Sequence, residues 1–91
     1  MPITEKIHIK GDVTGVGFKA LASRAAARYN VTGYVKTINE DTVEVVLQGA
    51  EGNVGKARIE IELNPGASRV KEVVELPVEE EATYDSFSIV R

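Results

Sequence analysis

Glu51-Gly52-Asn53-Val54-Gly55-Lys56-Ala57-Arg58-Ile59-Glu60-Ile61-Glu62-Leu63 is the segment on which the fold of this 91-residue chain turns. Val54, Ala57 and Ile61 repeat at helical spacing, whereas Ile59, Ile61 and Leu63 alternate as in a strand. Chain order favours the helix. The segment lies between two strand patterns that must run parallel, so it has to be a crossover, and Asn64-Pro65-Gly66 directly after it is a strong helix stop.

Upstream, Val31, Gly33 and Val35 alternate with Thr32, Tyr34 and Lys36, and after Asn39-Glu40-Asp41 the alternation resumes with Val43, Val45 and Leu47. Two such runs about a short polar turn predict a β-hairpin. Further upstream, Phe18, Leu21, Ala22, Ala25 and Tyr29 share one helical stripe that Asn30 terminates. Ile7 and Ile9 alternate with Lys6, His8 and Lys10 to give a first strand, with His8 pointing to solvent beside the lysines. Downstream, Val70, Val73, Val74 and Leu76 form a fourth strand, and Phe87, Ile89 and Val90 a short terminal one. The order is βαββαβ with an added short C-terminal strand. This α+β arrangement is a ferredoxin-like α/β sandwich, with two helices covering one face of an antiparallel sheet. No repeat or low-complexity segment interrupts it, so residues 1–91 are expected to form a single domain.

Composition narrows the function. An apolar fraction of 43% suffices for one core, and ordinary stability of about 5 to 13 kcal/mol is expected. There is no cysteine and only one histidine, which leaves no thiolate site and little for zinc. The net charge of −3 opposes a general attraction to nucleic acid or anionic membranes, so any anion must be held by a local site. Acidic residues gather at Glu72, Glu75 and Glu79 to Glu81, which reads as a solvated surface. No apolar run approaches a membrane span and no signal peptide opens the chain, so a cytoplasmic protein is expected.

The local anion site that the charge balance calls for is offered by Gly11-Asp12-Val13-Thr14-Gly15-Val16-Gly17-Phe18-Lys19, between the first strand and the first helix. Its glycines let the backbone curl so that successive N–H groups and the helix N-terminus converge on one phosphate or carboxylate. The run lacks the Gly-Lys-Ser/Thr ending of a nucleotide-binding P-loop and does not fit G-x-G-x-x-G. Spacing alone leaves both an anion cradle and an ordinary strand-to-helix connection open.

These residues resemble the acylphosphatase family, small hydrolases of the carboxyl-phosphate bond. The family pattern G-x-V-Q-G-V-x-F-R is echoed by Gly11 to Lys19, and G-W/Y-V-x-N with its turn and valine-rich strand by Gly33 to Leu47. Ser68-Arg69-Val70 and Phe87-Ser88-Ile89 resemble the family's last two strands. The resemblance implies that Thr14, Gly15, Val16, Gly17, Phe18 and Lys19 bind phosphate. It also implies catalytic roles for Lys19, at the position of an arginine that holds phosphate, and for Thr37, at that of an asparagine that positions the attacking water. Thr14 stands where the family has glutamine.

Phosphoryl transfer to water needs positioned groups and charge stabilisation on the equatorial oxygens. A lysine keeps the charge but not the two-bond contact of a guanidinium, and the threonine hydroxyl falls one bond short of an asparagine amide. Reduced activity is expected. Asn39, two residues past Thr37, would face the same way on a regular strand and offer a substitute carboxamide. The implied reaction needs no metal or cofactor, its ligand being an acyl phosphate or inorganic phosphate, and a monomer without nucleic-acid or membrane partners is expected. A non-catalytic anion-binding or interaction module on the same fold is the alternative. An RNA-recognition module shares the element order, but it needs an aromatic platform that His8, Thr42, Glu44 and Val46 do not supply.

Overall fold

The computed structural model describes residues 2–14, 17–63, 69–78 and 82–90. Along the chain lie β1 (Pro2–Asp12), α1 (Phe18–Arg28), β2 (Thr32–Asn39), β3 (Thr42–Ala50), α2 (Glu51–Glu62), β4 (Arg69–Leu76) and β5 (Phe87–Val90). The segment 51–63 is therefore a helix with Leu63 as its C-cap. Val54, Ala57 and Ile61 are fully buried, while Ile59 and Leu63 are 59% and 73% exposed, so the competing alternation is not what packs.

One five-stranded sheet has the order β4-β1-β3-β2-β5. β1 pairs antiparallel with β3 on one side and β4 on the other, and β2 pairs antiparallel with β3, as the βαββαβ order requires. The added strand departs from the expectation of a wholly antiparallel sheet. β5 runs parallel to β2, with Gly33 opposite Phe87 and Lys36 opposite Val90, so the sheet is mixed. Because the chain reaches β2's free edge only after 77–86, it can enter that edge from either end, and no residue pattern announces the direction.

The core lies between the sheet and the two helices. Ile7 and Ile9 of β1, Val35 of β2, and Val43, Val45 and Leu47 of β3 point toward α1 and α2. From α1 come Phe18, Ala22, Ala25 and Ala26; Leu21 is half-buried, and Tyr29 packs at the margin as the C-cap. The alanines let the helix sit close to the sheet, and Phe18, the largest fully buried side chain, fills the space at its start. Burying such a ring is worth about 2 to 3 kcal/mol, so Phe18 anchors the helix at the end nearest the loop. Asn30, at φ 57, takes the left-handed conformation that terminates α1. The stop at Asn64-Pro65-Gly66, Ser68 and the acidic run Glu79 to Glu81 lie outside the described residues. Glu72 and Glu75 are exposed, as expected, and pair with Lys10 and Arg58 respectively.

Candidate functional site

β1 and β2 both run antiparallel to β3, so they are parallel to each other and their C-terminal ends share one end of the sheet. The loop that leaves β1 therefore starts beside the β2–β3 turn and the strand end that carries Thr37. The Gly11 N–H donates to the Asp41 carbonyl at 2.8 Å, and the Thr14 hydroxyl donates to the Glu40 carbonyl at 2.7 Å. Gly17 caps α1 in the left-handed conformation, at φ 80, with open space where a Cβ would be. Glycine is needed there for conformation rather than for room.

Gly17 supplies no capping side chain, and the first turn of α1 carries no acidic residue. The early amides of a helix have no partner within the helix, and no side chain among the described residues caps those of α1. Lys19, the second residue of α1, is half-buried, and no ion pair among the described residues uses it. Phe18 is part of the core, so its contribution beyond its backbone N–H is to fix the helix start. Gly15 and Val16, the remaining loop positions singled out from the sequence, lie outside the described residues.

Thr37 is exposed near the end of β2. It is opposite Val43, which is opposite Ile9, and both partners belong to the core, so Thr37 is on the helix-covered face of the sheet. That is the face from which α1 departs. Asn39 does not join it. The register slips between Thr37 and Asn39, leaving Ile38 as an extra residue, so that Asn39 is opposite Thr42 and on the other face. Its Oδ1 accepts the Asp41 N–H at 3.1 Å, closing the turn. A substitute carboxamide beside Thr37 is thereby corrected.

A second polar cluster escaped the sequence reading. On the helix-free face, Glu44 accepts a hydrogen bond from the Tyr34 hydroxyl at 2.6 Å, lies 2.9 Å from His8 Nε2, and has Lys6 Nζ at 3.8 Å. Burial alone would raise the carboxyl's pKa, but the bonds from Tyr34 and His8 and the charge of Lys6 outweigh it and hold it below the ordinary value. Burial and the neighbouring carboxylate push the Tyr34 hydroxyl up. His8 thus shares the lysines' face, as expected, but is engaged rather than free in solvent. The shared parity of Lys6, His8, Tyr34 and Glu44 is visible in the sequence; that Glu44 falls directly opposite His8 requires the register. A cavity of about 290 Å³ beside this cluster is lined by Thr4, Lys6, Tyr34, Val46 and Tyr84, on the face opposite to Thr37.

Comparison with known proteins bears on the whole chain. A family model described as acylphosphatase matches residues 5–89. An acylphosphatase from Clostridium acetobutylicum is 34% identical over 84 residues, and one from Bordetella parapertussis is 35% identical over 86 residues, each alignment covering 92% of both chains. The crystal structure of acylphosphatase from Bacillus subtilis superposes over all of both chains with a TM-score of 0.89 at 24% identity, which speaks for the fold. Family and fold together support an acyl-phosphate hydrolase kind of function. A match running from Glu5 to Ile89 accounts for every element of the sheet and both helices, and the chain therefore belongs to the acylphosphatase family.

Proposed function

We propose that this protein hydrolyses acyl phosphates to carboxylate and phosphate, at a rate reduced by the side chains at two positions. The observation that carries the reading is that the loop leading into the α1 start, which has no capping side chain and bears Lys19, is bonded to the β2–β3 turn at the sheet end where Thr37 lies. In this reading the backbone amides from Thr14 to Lys19 receive the phosphoryl oxygens, and the Lys19 ammonium adds a full charge within the same turn. Both stabilise the negative charge that the equatorial oxygens carry as the bond to the carboxylate breaks.

The attacking water approaches from the side opposite the leaving carboxylate. Thr37, on the face that α1 covers, is the group that holds it, its hydroxyl both accepting and donating. A β-branched threonine has restricted χ1 freedom, and its oxygen sits one bond closer to the backbone than an asparagine amide, so the water is held less firmly. Loss of one well-placed transition-state donor costs about 3 kcal/mol, roughly a hundredfold in rate. No cofactor or metal enters this chemistry, because the charge is met by amides and an ammonium.

The test is the hydrolysis of benzoyl phosphate by the wild type, Lys19→Ala and the double variant Lys19→Arg/Thr37→Asn. Turnover above the uncatalysed rate, lost in Lys19→Ala and raised at least tenfold in the double variant, is expected. Orthophosphate binding without turnover in any of the three would select the non-catalytic anion-binding module instead.

A further inference from the structure

We propose that Thr14 and Asn39 are positioning residues that latch the anion loop to the β2–β3 turn, Thr14 through its hydroxyl and Asn39 by shaping the turn that receives it. This rests on the proposed function, since what the latch holds in place is the phosphate-binding loop.

The geometry is a short chain of contacts. The loop is tied at Gly11 to the Asp41 carbonyl and, three residues later, at Thr14 to the Glu40 carbonyl. The first tie is backbone to backbone and indifferent to side chain. The second exists only because residue 14 carries a hydroxyl. The two receiving carbonyls are adjacent in a turn that is itself held from within: Asn39 Oδ1 accepts the Asp41 N–H, and the Thr42 hydroxyl donates to Asp41 Oδ1 at 2.9 Å. Thr42 is buried, so this turn is fastened to the sheet. The same turn follows the bulge at Ile38 that sets Asn39 apart from Thr37. Loop and water-positioning strand end thus share one support.

Such a latch matters because glycines, as at 11 and 17, admit many backbone conformations, of which few converge successive amides on one point. A loop that is only fractionally in its binding shape weakens phosphate affinity by that fraction. The Thr14 hydroxyl, already donated to Glu40, orders the loop before ligand arrives and is not a direct phosphate donor. A neutral hydrogen bond has a modest net worth, so removing it lowers phosphate affinity about two- to tenfold.

The test measures orthophosphate dissociation constants by phosphorus NMR for the wild type, Thr14→Val, Thr14→Ser, Asn39→Ala and the Thr14→Val/Asn39→Ala pair, with thermal midpoints alongside. Weaker binding in Thr14→Val with a midpoint still within about 10 °C of the wild type, rescue of both in Thr14→Ser, and little further loss when Thr14→Val is added to Asn39→Ala are expected. With benzoyl phosphate the same loss should fall on KM and leave kcat in place. Wild-type affinity in Thr14→Val overturns the latch while leaving the proposed function standing. No phosphate binding by the wild type overturns both.

Discussion

Replacing Gly33 by alanine should nearly unfold this protein, and the structure says why. Gly33 sits at φ +133°, outside the range that side-chain-bearing residues adopt, and an added Cβ would lie 1.9 Å from the Val46 carbonyl oxygen and 2.7 Å from its carbon. Carbon and oxygen normally stay more than about 3 Å apart, so β2 would have to retreat from β3 by over 1 Å. It has nowhere to go. Gly33 is paired with Leu47 of β3 and Phe87 of β5, and its N–H donates to the Ser86 carbonyl at 3.1 Å. Retreat would stretch the neighbouring ladder bonds, each worth about 1 kcal/mol, and the strained φ adds about 1 to 3 kcal/mol. A loss of about 4 kcal/mol or more follows, against a total stability of about 5 to 13 kcal/mol. Thermal unfolding followed by circular dichroism should place Gly33→Ala about 15 °C or more below the wild type. A midpoint within about 5 °C would refute the close approach of β2 and β3 at this point. Because Gly33 lies near the start of the strand that carries Thr37 near its end, the variant should also lose whatever hydrolysis the wild type shows.

Other outcomes follow from the same contacts. Glu44 has a folded-state pKa below its ordinary 4.5, so its stabilisation is complete above that value and is lost as pH falls through the lower folded one. The wild-type urea midpoint should therefore drop more steeply below pH 4.5 than that of Glu44→Gln, which should also be about 2 kcal/mol less stable at neutral pH. Arg58, only partly exposed, donates to Glu75 at 2.7 Å, Glu62 at 2.5 Å and Glu5 at 3.2 Å, and these partners push its pKa up. Arg58→Met leaves three like charges together and should cost about 1 to 2 kcal/mol in urea unfolding, less at high salt. Thr37→Asn alone should raise the rate of benzoyl phosphate hydrolysis with little change in orthophosphate inhibition, because in the proposed mechanism the side chain at 37 acts on water rather than on phosphate.

Much of the architecture could be read from residue order. Val54, Ala57 and Ile61 buried one face of α2, the hairpin about Asn39–Asp41 formed, and the glycine loop fell between β1 and α1. What stayed hidden depends on register. A single extra residue at Ile38 sends Asn39 to the opposite face, and nothing in a run of alternating residues marks where the count slips. The parallel course of β5 is a property of which end of β2 the chain reaches. Glu44 reads as an ordinary solvent-face residue until β3 is set against β1, when His8, Lys6 and Tyr34 close around it. At the site, the shared sheet end of Thr37 and the loop follows from topology, whereas the bond from Thr14 to the Glu40 carbonyl depends on how the loop bends over the β2–β3 turn, which no residue pattern marks.

The central claim is that the loop between β1 and α1 captures a tetrahedral oxyanion with its backbone amides and Lys19. Proton–nitrogen correlation spectra recorded while orthophosphate is added test it most directly. Saturable shifts at millimolar ligand, confined to Gly11 through Ala20 and abolished in Lys19→Ala, are the expected result. Amides of Thr14 to Lys19 that stay unmoved, or shifts that survive Lys19→Ala undiminished, would contradict it.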